Sequence, residues 1–283
     1  GNLCNLQFNT RGTSIWKAPA DWSLLNLSPL KTTTVANPLY IAKDTSGTRQ
    51  VIHEAPVAFN GPMVEQMETF FVFAGTGKFN ESADKTSTST NSIFAVYDNG
   101  TTRADEAIVG RGRLKSGTIN ATAKTVTVAD FVWGRPKADT DTTKRAGWFA
   151  DLPVAGERVV GVIQLVGRKA IFNTVIPATA GASGGCGAGS ATTNTYIVDI
   201  SSGTGTFTSK LVLEPPSLIL QNDSATTVST SDPTGRSVRT KTYIIPDPAA
   251  PGGKREVTVL ELLGRLSWRQ IKNYLDLKNK ATP

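Results

Sequence analysis

The sequence predicts an all-β chain of the β-propeller type, and three observations carry that prediction. Val, Ile, Thr and Phe recur in short apolar runs separated by clusters of Gly, Pro, Asn, Asp and Ser, which is the composition of strands between tight turns. The run Phe70-Phe71-Val72-Phe73-Ala74 breaks at Gly75-Thr76-Gly77, and the next run, Ile93 to Tyr97, closes on Asp98 and a second turn. A related rhythm returns with Arg158 to Ile163, Lys169 to Thr174, Thr195 to Asp199 and Ser202-Gly203-Thr204-Gly205. Repeated β units of about 40 to 50 residues are the mark of propeller blades rather than of a sandwich.

Taken in order, the apolar runs Leu39 to Ala42, Val51 to Phe59, Phe70 to Ala74, Ile93 to Tyr97, Val159 to Leu165, Ala170 to Ile176 and Tyr196 to Ile200 read as buried strands. Thr118 to Val132 alternates, with Val126 and Val128 set between Thr125, Thr127 and Ala129, and reads as a half-exposed hairpin. Glu256 to Leu263 reads as a strand entering a turn at Gly264. A short terminal helix follows over Ser267 to Lys278, with Ser267 as its N-cap and Ile271, Tyr274, Leu275 and Leu277 as its apolar stripe. Low-complexity tracts lie between the strands. They are Ser/Thr over Lys85 to Asn91, Gly-rich over Gly181 to Gly189, polar over Gln221 to Asp232, and Pro/Gly-rich over Pro246 to Gly253. Because β signals continue on both sides, these tracts read as loop insertions (84–91, 181–194, 221–235 and 246–253). Residues 1–283 then read as one domain with no internal boundary.

At 283 residues the chain can bury a sizeable core. With 39% hydrophobic and 19% charged residues it has neither the composition of a disordered chain nor that of a membrane-embedded one. No apolar run approaches the roughly 20 residues of a membrane helix. The net charge of +7 and pI near 9.4 come from scattered cations, among them Arg111, Arg113, Lys144, Arg145, Arg236, Arg239, Lys254 and Arg255. None is interleaved with stacking aromatics, so the charge reads as solvated surface and not as a nucleic-acid interface. Cys4 and Cys186 have no second thiol or histidine at zinc-ligand spacing; one disulfide and two free thiols both stay open.

No constellation of catalytic residues emerges. The single histidine, His53, reads as a strand residue packed at a blade edge, and no Gly-x-Ser-x-Gly elbow occurs. Glu65 with Glu68, or Glu157 with Asp151, offer carboxylates whose sequence spacing says little about their separation in a β fold. Asp98-Asn99-Gly100 with Asp105, and Asp139 with Asp141, supply oxygens on loops but fit no twelve-position calcium loop, and Asp98 reads as a turn cap. Gly75-Thr76-Gly77-Lys78 lacks the spacing of a phosphate loop. Trp16, Trp22, Trp133, Trp148 and Trp268 read as packing residues. The expectation is a chain that is not an enzyme, with no catalytic residue, bound cofactor or metal ligand of its own.

Four sets of phrases carry a family resemblance. They are Gly1-Asn2-Leu3 with Leu6-Gln7-Phe8; Phe73-Ala74-Gly75-Thr76-Gly77-Lys78-Phe79 followed by Ser92 to Asp98; Gly147-Trp148-Phe149-Ala150-Asp151-Leu152-Pro153 followed by Gly156-Glu157-Arg158-Val159-Val160; and Ile176-Pro177, the Cys-containing Gly-rich loop and Tyr196 to Gly205. The closing Gly264-Arg265-Leu266-Ser267-Trp268-Arg269 joins them. In this order they resemble the C-terminal propeller of the PilY/PilC-type type IV pilus tip adhesins; the third set is the most specific, and Cys4 stands where that family usually has Trp. The resemblance implies a secreted or cell-surface bacterial protein at the pilus tip or outer membrane, serving pilus biogenesis, attachment and twitching motility. Its partners would be pilins or minor pilins, a host or surface receptor, and a preceding propeller segment or another chain covering the N-terminal strand edge. It also implies calcium in the full-length protein, on a loop upstream of Gly1, and no metal ligand is carried over to this chain. Lys85 to Asn91, Gly181 to Gly189 and Gln221 to Gly235 are the expected recognition loops. Two alternatives stand beside this reading. One is a purely structural pilus or surface component; the other is a quinoprotein-like propeller enzyme, suggested by the Asp199-x-x-x-Gly203 turn but lacking a cofactor cage.

Overall fold

The computed structural model describes residues 2–4, 6, 17–21, 23–61, 69–177, 191–210, 219–228, 237–248 and 250–262. Its strands, in chain order, are β1 (Asn2–Leu3), β2 (Tyr40–Ile41), β3 (Val57–Asn60), β4 (Phe70–Gly75), β5 (Ser92–Asp98), β6 (Ile108–Val109), β7 (Lys115–Asn120) and β8 (Thr125–Val128). They continue with β9 (Gly147–Asp151), β10 (Arg158–Val166), β11 (Lys169–Ile176), β12 (Thr192–Asp199), β13 (Gly205–Lys210), β14 (Ile219–Val228), β15 (Ser237–Pro246) and β16 (Lys254–Leu262). One short helix, α1 (Leu24–Leu27), starts at Ser23, whose hydroxyl accepts the Asn26 N–H. The chain divides into two compact units, one of Gly1–Ser217 with Pro246–Lys254 and one of Leu218–Ile245 with Arg255–Pro283. No composition break in the sequence marks that division.

In the larger unit ten strands form one sheet in the order β10-β11-β12-β13-β8-β7-β9-β5-β4-β3. Two four-stranded antiparallel meanders of the blade kind, β3-β4-β5-β9 and β10-β11-β12-β13, are joined through the β7–β8 hairpin. The hairpin pairs parallel to β9 and antiparallel to β13. The ends of the sheet come back together: β10 lies against β3 and β4, and the Val159 N–H donates to the Thr76 carbonyl at 3.1 Å. The all-β, propeller-like class read from the sequence is therefore the class of the structure. The blade units, however, are edges of one nearly closed sheet.

Period-two alternation sorts the side chains between two cores. Phe71 and Phe73 of β4, Ile93, Ala95 and Tyr97 of β5, and Trp148 and Ala150 of β9 face the inner core, together with Val159, Ile163, Ala170, Phe172, Tyr196, Val198 and Phe207 from the second meander. Ala74, Phe94 and Val96 face outward into a second core with Leu3, Leu39, Tyr40 and Ile108. There the small sheet β1-β2-β6 covers the first meander. All seven residues of β5 are buried because both of its faces are covered, which is why it reads as an unbroken apolar run. A file of aromatic rings crosses the inner core. Phe73 lies 6.1 Å from Trp148 and 5.3 Å from Phe172, Phe172 stacks on Tyr196 at 5.1 Å, and Tyr196 stacks on Phe207 at 4.5 Å. At these spacings each pair adds about 0.5–1.5 kcal/mol beyond its area burial.

Several expectations change. Val51 to Phe59 is not a buried run: it contains only β3, whose residues alternate between half-buried and exposed, and His53 is an exposed residue outside any strand. Pro56 and the neighbouring turn leave no ladder for His53 to join. In Val159 to Leu165 a bulge between Val160 and Gln164, with Gly161 at φ +76°, turns Val162 out to solvent. In the smaller unit the antiparallel ladder of β14 with β15 takes up residues 219–228, so the first part of the 221–235 tract is strand and not loop. β-branched Thr and Val tolerate that ladder although their neighbours are polar. The hairpin read over Thr118 to Val132 is present as β7–β8, and the strand read over Glu256 to Leu263 is present as β16. The terminal helix over Ser267 to Lys278 lies outside the described residues.

Candidate functional site

Two of the phrases that carry the family resemblance, the Gly75-Thr76-Gly77 turn and the Glu157-Arg158-Val159 segment, lie far apart in sequence and meet in space. A Cβ on Gly75 would run into the Val159 side chain, and one on Gly77, at φ +115°, would run into Cβ of Arg158. The turn therefore needs glycine twice: at Gly75 because β10 packs there, and at Gly77 both for its backbone angle and for the approach of Arg158. Between them Thr76 is fully buried. Its hydroxyl donates to the Ser92 carbonyl at 3.2 Å and accepts the Ser92 N–H at 2.7 Å.

Each polar residue of the Gly-Trp-Phe-Ala-Asp-Leu-Pro and Gly-Glu-Arg-Val-Val phrases has a specific bond. Trp148 is fully buried and donates its indole N–H to the Ile200 carbonyl at 2.7 Å. Asp151 takes a two-pronged pair from Arg111, at 2.9 and 2.7 Å, and the Ser92 hydroxyl at 2.6 Å. Arg111 also lies 4.5 Å over the Phe149 ring and donates from Nε to the Lys43 carbonyl. Glu157 is fully buried at the end of the inner core. Its Oε1 accepts from Thr174 at 2.6 Å, the Asn194 amide at 2.8 Å and the Tyr196 phenol at 3.0 Å, while Oε2 has no partner among the described residues. Burial raises the Tyr196 phenol far above its ordinary value, and Glu157 adds to the shift, so the phenol stays a donor. Asn194 in turn accepts from Ser209, which accepts from the Lys124 ammonium at 3.0 Å. Asp151 and Glu157 thus serve two separate networks and do not form a carboxylate pair.

A cleft of about 190 Å³ opens beside this junction. Its wall comes from three segments, 44–51, 77–78 and 84–91, with Arg158 from β10. Arg158 is 2% exposed and donates Nε to the Gly156 carbonyl at 2.8 Å, Nη1 to the Lys78 carbonyl at 3.0 Å and Nη2 to the Ser87 carbonyl at 2.9 Å. Burial draws its guanidinium below the ordinary value, with Asp84 opposing. The Ser/Thr tract Lys85 to Asn91 forms one rim. Its backbone is pinned by Arg158 at Ser87, by Gln50 at Thr90 and by Asn91, whose amide donates to the Glu157 carbonyl at 2.9 Å. Thr88, Ser89 and Thr90 stay exposed, so this expected recognition loop presents hydroxyls from a fixed backbone. Gly181 to Gly189 and Cys186 lie outside the described residues, as do Glu65, Glu68, Trp16, Trp22 and Trp268.

The remaining candidates have ordinary partners. Asp98 accepts the Gly100 N–H at 2.8 Å and so caps its own turn, as its sequence suggests. Asp139 pairs with Arg113 at 3.1 Å, and Asp141 accepts the N–H and hydroxyl of Thr143. Asp105 pairs with Arg103. Among the described residues no group of three or more His, Cys, Asp or Glu is placed to hold a metal ion. Cys4 is exposed and has no disulfide partner among the described residues, which do not include Cys186. No helix among the described residues is long and apolar enough to cross a membrane. Sequence pattern alone carries no sign of the Arg158 cleft or of the Glu157 network, because most of their partners lie 17 to 80 residues away, on β11 and β12 for Glu157 and on the loops after β4 for Arg158.

No protein-family model matches the chain, and no curated protein matches it. Among solved structures the chain is similar to the crystal structure of the Pseudomonas aeruginosa PilY1 C-terminal domain, with 20% identity and a TM-score of 0.49 over 72% of this chain. The match spans 46% of that structure's chain, less than half its length.

Proposed function

We propose that this chain is the non-catalytic binding and assembly module of a type IV pilus-associated surface protein. The observation that carries the reading is the junction of Gly75 and Gly77 with Arg158 and Val159. Two of the phrases that resemble the pilus tip adhesins, Phe73 to Phe79 and Gly147 to Val160, are phrases on which this interior is built, and that supports the reading. Pilins or minor pilins at the pilus tip are the proposed assembly partners. A surface receptor is proposed for the exposed hydroxyl rim over Lys85 to Asn91. The non-enzymatic reading is supported by how the candidate acids are used: Asp151 and Glu157 are committed to structural bonds, and His53 stands apart from both.

The test is replacement of residues 85–90 in the full-length protein by a Gly/Ser segment of equal length, scored for pili per cell and for attachment. Lost attachment with normal pili supports an adhesin. Lost pili supports the assembly role, which a purely structural component would also fill. Unchanged pili and attachment in that variant, and in a strain lacking the whole chain, refute both.

A further inference from the structure

We propose that the cleft walled by 44–51, 77–78, 84–91 and Arg158 binds a small oxyanion, a carboxylate or sulfate group carried by a polar ligand.

Three cations and two carboxylates line the cleft: Arg49, Lys78 and Arg158 against Asp44 and Asp84. Both carboxylates are already satisfied from their own turns. Asp44 Oδ1 accepts the Ser46 N–H at 2.9 Å, the Ser46 hydroxyl at 2.7 Å and the Thr48 N–H at 2.8 Å. Asp84 Oδ2 accepts the N–H groups of Asn80 and Glu81, and Lys78 stands 3.9 Å from its other oxygen. Lys78 itself is held by Glu81 at 2.6 Å. The arginines differ. Arg158 is buried, yet its bonds go to carbonyl oxygens, and no carboxylate among the described residues lies within ion-pair distance of it. A desolvated cation whose facing carboxylate, Asp84, lies beyond ion-pair distance is only partly compensated, and an anion arriving in the cleft would relieve the remaining cost. Three of its five N–H groups are used by the carbonyls, so two remain for a ligand. Arg49 is exposed at the mouth, placed to meet the same ligand from the solvent side.

Size and lining narrow the ligand class. About 190 Å³ is below the roughly 300–1,000 Å³ of pockets that enclose drug-sized ligands, so the cleft suits a single anionic group or one sugar ring. The planar fork of a guanidinium matches carboxylate and sulfate oxygens. Ser87, Ser89, Thr90 and Thr48 add hydroxyls along the wall, which suits a ligand that is polar throughout.

The experiment is an NMR titration of the full chain with sodium sulfate and, separately, with sodium glucuronate, against sodium chloride at matched ionic strength. Saturable shifts of residues 48–51, 77–78 and 87–91 are expected with at least one of the two anions. Sulfate saturating alone identifies a site for the inorganic anion or a sulfate ester; glucuronate saturating alone identifies a site for an acidic sugar. Arg49→Gln, at an exposed position that carries no fold-defining contact, is expected to weaken binding by about fivefold. Lys78→Gln is expected to change it less, because Glu81 already neutralises that lysine. Shifts no larger than chloride produces, or equal affinity in wild type and Arg49→Gln, overturn the proposal.

Discussion

The two four-stranded meanders of the large sheet solve the same problem in opposite ways. The first, β3-β4-β5-β9, is apolar on both faces of its central strands: Phe73 and Ile93 enter the inner core while Phe94 and Val96 enter the outer one. The second, β10-β11-β12-β13, shares the inner core through Val159, Phe172 and Tyr196 but ends it with a polar set, Glu157 bonded by Thr174, Asn194 and Tyr196. Apolar packing tolerates volume-conserving substitution, whereas a buried carboxylate demands its donors at fixed positions. The difference teaches that both meanders share the inner apolar core, while the polar set of the second adds the alignment that brings Arg158 and Val159 onto the Gly-Thr-Gly turn.

Breaking the comparison from the first side has the largest expected effect. Trp148→Ala removes a fully buried ring and its bond to Ile200, and is expected to lose about 3–5 kcal/mol in urea unfolding of the full chain. From the second side, Glu157→Ala strands three buried donors and is expected to cost about 3 kcal/mol, the low end of about 1–3 kcal/mol for each unmet group, since water can enter the space left by the carboxylate. Glu157→Gln keeps one oxygen acceptor and should cost about 1 kcal/mol. Equal losses for Gln and Ala would show that charge, and not acceptor geometry, holds the network. At the seam, Gly77→Ala combines a φ of +115° with the approach of Arg158, and about 1–3 kcal/mol is expected.

The fourth prediction concerns acid. Desolvation pushes the Asp84 carboxyl up, but the Glu81 and Asn80 N–H groups, Lys78 and Arg158 outweigh it and hold the carboxyl below its ordinary value of 3.8. A carboxyl with a lowered folded value adds stability that is fully present above its unfolded value and is lost as pH falls through the lowered folded one. Amide exchange at residues 80–91 should therefore speed up below about pH 3.8, near the unfolded carboxylate value, and Asp84→Ala should abolish that step while leaving meander cores protected. The smallest effect is at the bulge of β10. Val162 is 69% exposed, and Val162→Thr should shift stability by less than about 0.5 kcal/mol.

Much of the fold was legible because it depends on local pattern. The unbroken run Ile93 to Tyr97 marks a strand covered on both sides, the alternation around Val126 marks the β7–β8 hairpin, and Gly75-Thr76-Gly77 marks a turn. The expectations that failed concern long-range pairing. Val51 to Phe59 is apolar enough for a buried strand, but apart from Ile52, which bridges to Gly77 at a single position, its first half has no ladder, and β3 sits at the edge of the sheet. The polar tract from Gln221 looks like loop, but pairing with β15 makes its first part strand.

The sequence by itself determined the all-β class, most strand positions and the two glycines of the central turn, because strand periodicity and backbone freedom are properties of neighbouring residues. Only the tertiary structure decided that the blade units join into one nearly closed sheet and that Glu157 is buried among Thr174, Asn194 and Tyr196. It also decided that Arg158 meets Lys78 and Ser87 in a cleft. Those outcomes depend on which strands lie side by side, and that choice is made by burial and hydrogen-bond partners dozens of residues apart.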